Sequence, residues 1–281
     1  MEQTGKVPHY TIEKQRGFKL ISFKEFVRYK DLLYFLVKRD VTVLYKQTIL
    51  GFLWAIINPV IQMVIFSFIF GKLVSVPSEG VAYPLFNYVG IIPWNYFSQS
   101  LAASSNSLIQ SSSIFTKVYF PRIFIPLTPV LSKLVDFFIS FVVLIVLMIF
   151  YNTYPNANIV FLPVLILLMI LTASGIGMWF SALAIQYRDI RFAMPLLTQL
   201  LLFVAPVVFP ASLVLSKGKI LYLLYGLYPM VGVIEGFRSA LLGSNDMPWE
   251  LIGMGTISAL IIFFSGVVYF RKTERIFADV A

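Results

Sequence analysis

Six stretches of this sequence, at about 50–70, 87–109, 128–150, 159–185, 192–212 and 250–270, are each about twenty residues long and carry little charge. Wound as a helix, a run of that length crosses a hydrocarbon core of about 30 Å, and lipid offers no partner to an open backbone group. The pattern predicts an all-α integral membrane protein, with six transmembrane helices forming one domain over residues 47–281. Composition agrees, since 12% of the residues are charged where a soluble domain has about 25%.

The basic residues give an orientation. With the N-terminus in the cytosol, all but four of the 22 lysines and arginines fall in inside segments, the exceptions being Lys72, Lys217, Lys219 and Arg238. Both termini are then cytosolic. The net charge of +9 comes from residues that bracket apolar spans, so nucleic acid is not an expected partner. The first 30 residues are too charged for a secretory signal, and the first span should remain as an anchor.

Several chemistries are set aside. There is no cysteine, and the single histidine, His9, lies near the terminus, which removes disulfides and thiolate chemistry and argues against a histidine-ligated metal. No phosphate-cradling G-x-x-x-x-G-K-[ST], G-x-S-x-G or H-E-x-x-H motif occurs, so no catalytic residue, cofactor site or metal ligand is assigned. Any ATP consumed must be hydrolysed on another chain.

Residues 24–46 follow a tail, 1–23, to which no role is given. At about 100° per residue, Phe26, Leu33, Val37 and Leu44 share one line, while Lys24, Arg28, Asp31, Lys38, Arg39 and Lys46 spread over the other side. This predicts a basic amphipathic helix, which could rest on anionic lipid or dock a cytosolic partner.

The second span is polar for a membrane helix. Asn95, Gln99, Asn106 and Gln110 fall within about 60° of one another, which suits either interhelical hydrogen bonding or the wall of a hydrated pathway. Asp136, near the start of the third span, is three residues from Lys133 and can pair with it, as Glu235 can with Arg238. The segment 213–248 is apolar but broken by Gly226, Pro229, Gly232 and Gly236, which predicts short re-entrant helices on the outer side between the fifth and sixth spans, with a seventh span as the alternative. Aromatics near the span ends include Trp54, Trp94, Tyr96, Phe97, Tyr222, Tyr225 and Tyr228. They suit interfacial belts, or flat platforms for sugar rings.

Four stretches, taken in order, resemble the polysaccharide-export permeases of the ABC type-2 class: "LVKRDVTVLYKQTILGFLWAIINP" (36–59), "YPLFNYVGIIPWNYFSQSL" (83–101), "KVYFPRIFIPL" (117–127) and "QYRDIRF" (186–192). The resemblance implies a multi-pass protein of the cell inner membrane that acts as a homodimer. Each dimer would carry two copies of a nucleotide-binding ATPase subunit, with ATP and Mg held there and no cofactor in this chain. It implies that the helix 24–46 and the loop 111–122 meet the ATPase, with Lys38, Arg39, Lys46, Lys117 and Arg122 as coupling residues. It further implies a channel at the dimer interface, with Trp54, Trp94, Tyr96, Phe97, Asn95, Gln99 and Asn106 as the lining set. The outer gate would carry Tyr222, Tyr225, Tyr228, Glu235 and Arg238. The implied substrate is a lipid-linked polysaccharide, O-antigen first, with teichoic acid or capsule as alternatives of the same class.

Readings outside that class also stand. A proton-coupled secondary transporter would use Asp136 and Glu235 as relay groups and would show inverted repeats, of which none is evident. A membrane enzyme acting on lipid-linked sugars would need an acid and base pair, and the loops offer scattered carboxylates only.

Overall fold

A computed structural model describes residues 27–46, 50–111, 120–243 and 246–274, and over these it is all-helical. The expected tail, Lys24, Phe26 and Lys117 lie outside the described residues.

The first helix, α1 (Lys30–Lys46), has Asp31 in its first turn and Lys46 in its last, each at the end the helix dipole favours. It buries Leu33 and Leu36 against Leu108, Phe120, Ile123, Phe124 and Ile125. Val37 is half-buried, but Leu44, on the same predicted line, is exposed, because it borders open cavities rather than packed side chains. A turn through Gly51, whose φ of +46° suits a residue without Cβ, leads into a tight 3-10 turn and then α2 (Trp54–Phe66), prolonged by a π-helical stretch, Ser67–Leu73.

The hub is α3 (Tyr83–Gln110), opened by Pro84 in its first turn. Its 28 residues span about 42 Å, and from Leu85 to Leu101 nearly every side chain is buried, Asn87 and Ser100 included. It carries too many polar groups to read as a simple lipid-facing span because other helices, rather than lipid, surround it. Beside it, α4 (Phe124–Phe150) buries Phe124, Ile125, Val130, Phe137, Leu144 and Met148 and exposes Phe138, Val142, Ile145, Val146 and Ile149, an apolar stripe at helical spacing.

The helix α5 (Leu162–Gln186) follows a short 3-10 turn, Ala157–Phe161, and runs parallel to the last helix, α10 (Trp249–Thr273). Their starts meet where the Phe161 and Trp249 rings stack edge-on at 4.8 Å. Further along, a Cβ on Gly175 would stand 2.7 Å from the Phe263 Cα, and one on Gly266 would strike the Gly175 carbonyl. Close backbone approach of this kind supplies van der Waals packing where no hydrophobic drive exists between helices.

The fifth expected span, 192–212, is helical only over α6 (Ile190–Val204). Pro206 disfavours the helical region for the residue before it, and Ala205 turns extended, with φ −70° and ψ 141°. An irregular segment, 205–211, leads to a single turn, α7 (Ser212–Leu215), and then to α8 (Lys219–Gly226) and α9 (Pro229–Leu242), whose axes differ by 101°. Gly243, at φ +64°, ends α9 in the left-handed conformation. Among the described residues four helical stretches are long and apolar enough to cross a membrane: Gly51–Leu73, Phe124–Phe150, Ala157–Gln186 and Trp249–Thr273. The bent pair α8 and α9 makes up to five if it counts as one span.

Candidate functional site

A cavity of about 200 Å³ opens where α1, α2, α3 and α4 meet, lined among others by Tyr45, Trp54, Asn58, Asn95, Gln99 and Asp136. Its polar wall follows from helical spacing. Trp54, Asn58 and Gln62 stand four residues apart on α2, and Asn95 and Gln99 do the same on α3, so each helix presents one stripe. The stripes are stitched together where Asn95 Nδ2 donates to Gln62 Oε1 at 3.0 Å. Trp54 is 46% exposed, and Asn58 and Gln99 are exposed too. Amides facing hydrocarbon without a partner would each cost several kcal/mol, on the order of 2–7, so this face is suited to water, a polar ligand or protein.

At the α1 edge of the cavity, the Tyr45 hydroxyl donates to Asp136 Oδ1, and Lys133 Nζ donates to Asp136 Oδ2 at 2.8 Å. Burial, and then the adjacent carboxylate, push the Tyr45 phenol above its usual range, which keeps it protonated as a donor. A second cavity, about 410 Å³, lies under α1 between Arg39, Asp40 and Val43 on one side and Ser107, Gln110 and Ser132 on the other.

The residues expected to line a channel divide into two groups. Trp54, Asn95, Tyr96 and Gln99 meet at the first cavity, with Tyr96 anchored by its hydroxyl to the Val130 carbonyl at 2.9 Å. Trp94 and Phe97 lie on another face of α3, packed against each other at 5.8 Å inside the bundle, with Phe97 also against Tyr228. Asn106 lies outside that cavity and donates to the Ala102 carbonyl of its own helix.

The expected coupling residues are also dispersed. Lys38 and Lys46 are exposed on α1, while Arg39 is held by Asp40 at 2.7 Å. Arg122 Nη1 donates to the Glu274 carbonyl at 3.1 Å and so ties the start of α4 to the end of α10.

A third cluster surrounds Arg238. It is 1% exposed and pairs with Glu235 at 2.8 Å. It also donates to the carbonyls of Val207, Phe209 and Phe86 at 2.7, 3.3 and 3.4 Å, and lies 3.7 Å above the Phe86 ring. Glu235 accepts from the Ala211 N–H at 3.0 Å. Tyr83 donates to the Val208 carbonyl and Tyr225 to that of Val204, both at 2.6 Å. Three carbonyls and one N–H of the non-helical backbone 205–211 are thus satisfied by side chains, the condition under which such backbone is tolerated at membrane depth. Tyr222 is half-buried beside this cluster, and Tyr228 is half-buried too, with its hydroxyl enclosed.

Sequence reasoning passed over Tyr45, Asn58 and Gln62. For the last two a signal existed: amides at i and i+4, in register with Trp54, inside an otherwise apolar run. Tyr45 had none, because its partner is 91 residues away.

The profile of the family described as ABC-2 type transporter matches residues 31–242, from the start of α1 to the end of α9, and so contains all three clusters. The chain belongs to the ABC-2 type transporter family. Two of the curated proteins it resembles are named O-antigen export system permease protein RfbA. The one from Myxococcus xanthus is 26% identical over 256 residues, 90% of this chain and 96% of that protein. The one from Klebsiella pneumoniae is 27% identical over 251 residues, 89% and 95% of the two chains. The polysialic acid transport protein KpsM of Escherichia coli is 25% identical over 242 residues, 84% and 91%. As an ABC-2 permease, the chain is a transport subunit.

Proposed function

We propose that this chain is the permease subunit of an ATP-driven exporter in the cell inner membrane that translocates a lipid-linked polysaccharide, O-antigen in the leading reading, as a homodimer served by two separate ATPase subunits. The observation that carries this reading is the resemblance along nearly the whole length of both chains to permeases named for O-antigen export. The amide and aromatic stripes on α2 and α3 support it chemically. They offer neutral hydrogen-bonding groups and one open indole face, a surface on which a sugar chain can slide through many weak contacts. The resemblance to the polysialic acid transport protein favours a capsule-type polymer as the second reading.

In this reading α2, α3, α4, α5, α10 and α6 with its irregular extension are six spans, and α8 and α9 form a re-entrant gate. Two contacts support the gate. Lys219, at the start of α8, pairs with Glu250 at 2.9 Å, and Ser239, near the end of α9, is 3.4 Å from Asn158. Glu250 and Asn158 belong to the adjoining starts of α10 and α5, so the pair enters and leaves at the same end of the bundle. The proton-relay alternative finds its two carboxylates already engaged, Asp136 by Tyr45 and Lys133, and Glu235 by Arg238 and the Ala211 N–H.

Deletion of the gene tests the proposal. The expected result is finished polymer accumulating in the cytosol and lost from the cell surface, and the sugar composition of that polymer separates O-antigen from capsule or teichoic acid. Normal surface polymer in the deletion strain would sink the reading. For the coupling surface, capture of the ATPase with Lys38, Arg39 and Lys46 changed to Glu should fall at least tenfold relative to wild type. Unchanged capture and ATP turnover would leave α1 as a lipid anchor.

A further inference from the structure

Two of the contacts that hold the helix α1 differ in kind. Near its start, Leu33 and Leu36 are buried among apolar side chains, a contact without direction that permits rocking. At its end, Tyr45 is bound to Asp136 by a directional hydrogen bond, and Asp136 is fixed in turn by Lys133. Between the two lies the cavity of about 410 Å³, so the middle of α1 has room to tilt. One turn beyond Asp136, Ser140 Oγ is 2.9 Å from the Ala55 carbonyl oxygen. The helix α4 therefore grips the chain before and after the α1–α2 junction.

The two helices that could take up a displacement of α1 are unequal as rods. Beyond the junction α2 contains Pro59 and gives way to the π-helical stretch Ser67–Leu73, both sites where helices bend. From Asp136 to Phe150, α4 has neither glycine nor proline. A push delivered at Asp136 is carried about 21 Å along an unbroken helix.

We propose that Tyr45, Asp136 and Lys133 form a clasp that passes displacement of α1 into α4, which makes Tyr45 a positioning residue for transport. This rests on the reading of α1 as the helix that docks the ATPase. The clasp engages through one hydroxyl proton, which gives the proposal a narrow test.

The chain has no cysteine, so a single environment-sensitive fluorophore can be attached at F150C, an exposed position at the far end of α4. The sample is the complex with the purified ATPase subunit in lipid nanodiscs, and the readout is the fluorescence change on adding ATP and vanadate. Y45F should leave complex yield and ATP turnover within twofold and the melting temperature within about 3 °C while reducing the fluorescence change at least fourfold. D136N, whose amide oxygen still accepts from Tyr45, should keep at least half of the change, and D136L should lose it. A full signal in Y45F, or equal signals in D136N and D136L, overturns the clasp. So does a signal that falls only in step with melting temperature and ATP turnover, since that marks a static strap. Failure of the wild-type chain to bind the ATPase would instead bring down the docking reading, and the clasp with it.

Discussion

Arg238 illustrates how much of a buried charge can be read from spacing alone. Its pairing with Glu235 follows from the three-residue separation on a helix, but the carbonyls that receive its remaining donors come from Phe86, Val207 and Phe209, two of them in a segment with no regular structure. Nothing periodic in the sequence marks such a bed, because irregular backbone is aimed by its tertiary neighbours. Removing one member of a buried pair strands the other charge at a cost of about 3–5 kcal/mol, whereas removing both relieves desolvation. Arg238→Leu should therefore destabilise the detergent-purified protein by about that amount in a denaturant titration. The double variant with Glu235→Leu should recover more than half of the loss. An additive double variant would mean that the carbonyl bed, rather than the pair, dominates.

Helices with strong apolar content were visible as elements, and their edges fell close to expectation: Phe124–Phe150 for 128–150 and Trp249–Thr273 for 250–270. The fifth was overextended, since the apolar run continues past Val204 while Pro206 ends the helix. Hydropathy does not register that stop. Packing between elements was less legible still. The glycines of α5 and α10 read alike in sequence, yet Gly175 faces the Phe263 backbone and Gly253 faces open space. Gly175→Ala should cost about 2 kcal/mol or more through overpacking, lowering the melting temperature by several degrees, while Gly253→Ala should be neutral or stabilising by up to about 1 kcal/mol. Equal effects would show that the seam between α5 and α10 yields easily. The bent pair can be tested in a cysteine-free background. Cysteines introduced at Lys217 and Asp246, which flank α8 and α9, should both react with a membrane-impermeant maleimide added outside intact spheroplasts. Labelling of only one would convert the pair into a spanning segment.

At the scale of the molecule, the distribution of lysine and arginine carries the orientation, and it makes a compact prediction. A cysteine replacing Lys72 should be labelled from outside, and one replacing Arg188 only after permeabilisation; the reverse pattern would invert the protein. The family was legible because its signatures lie along one strand of text. The cavity was not, because it gathers Tyr45, Trp54, Gln99 and Asp136 from four elements. The placement of α3 also bears on how the protein is made. The longest helix, largely enclosed by the others, is the polar one, so a ribosome delivers it to the membrane before α4, α5, α9 and α10 exist to cover it. Lipid alone holds such a segment weakly. Its retention during synthesis should depend on the helices that follow, and truncation after α3 should release that segment into the lumen of the translocation channel, leaving the centre of the transporter as the last part to become secure.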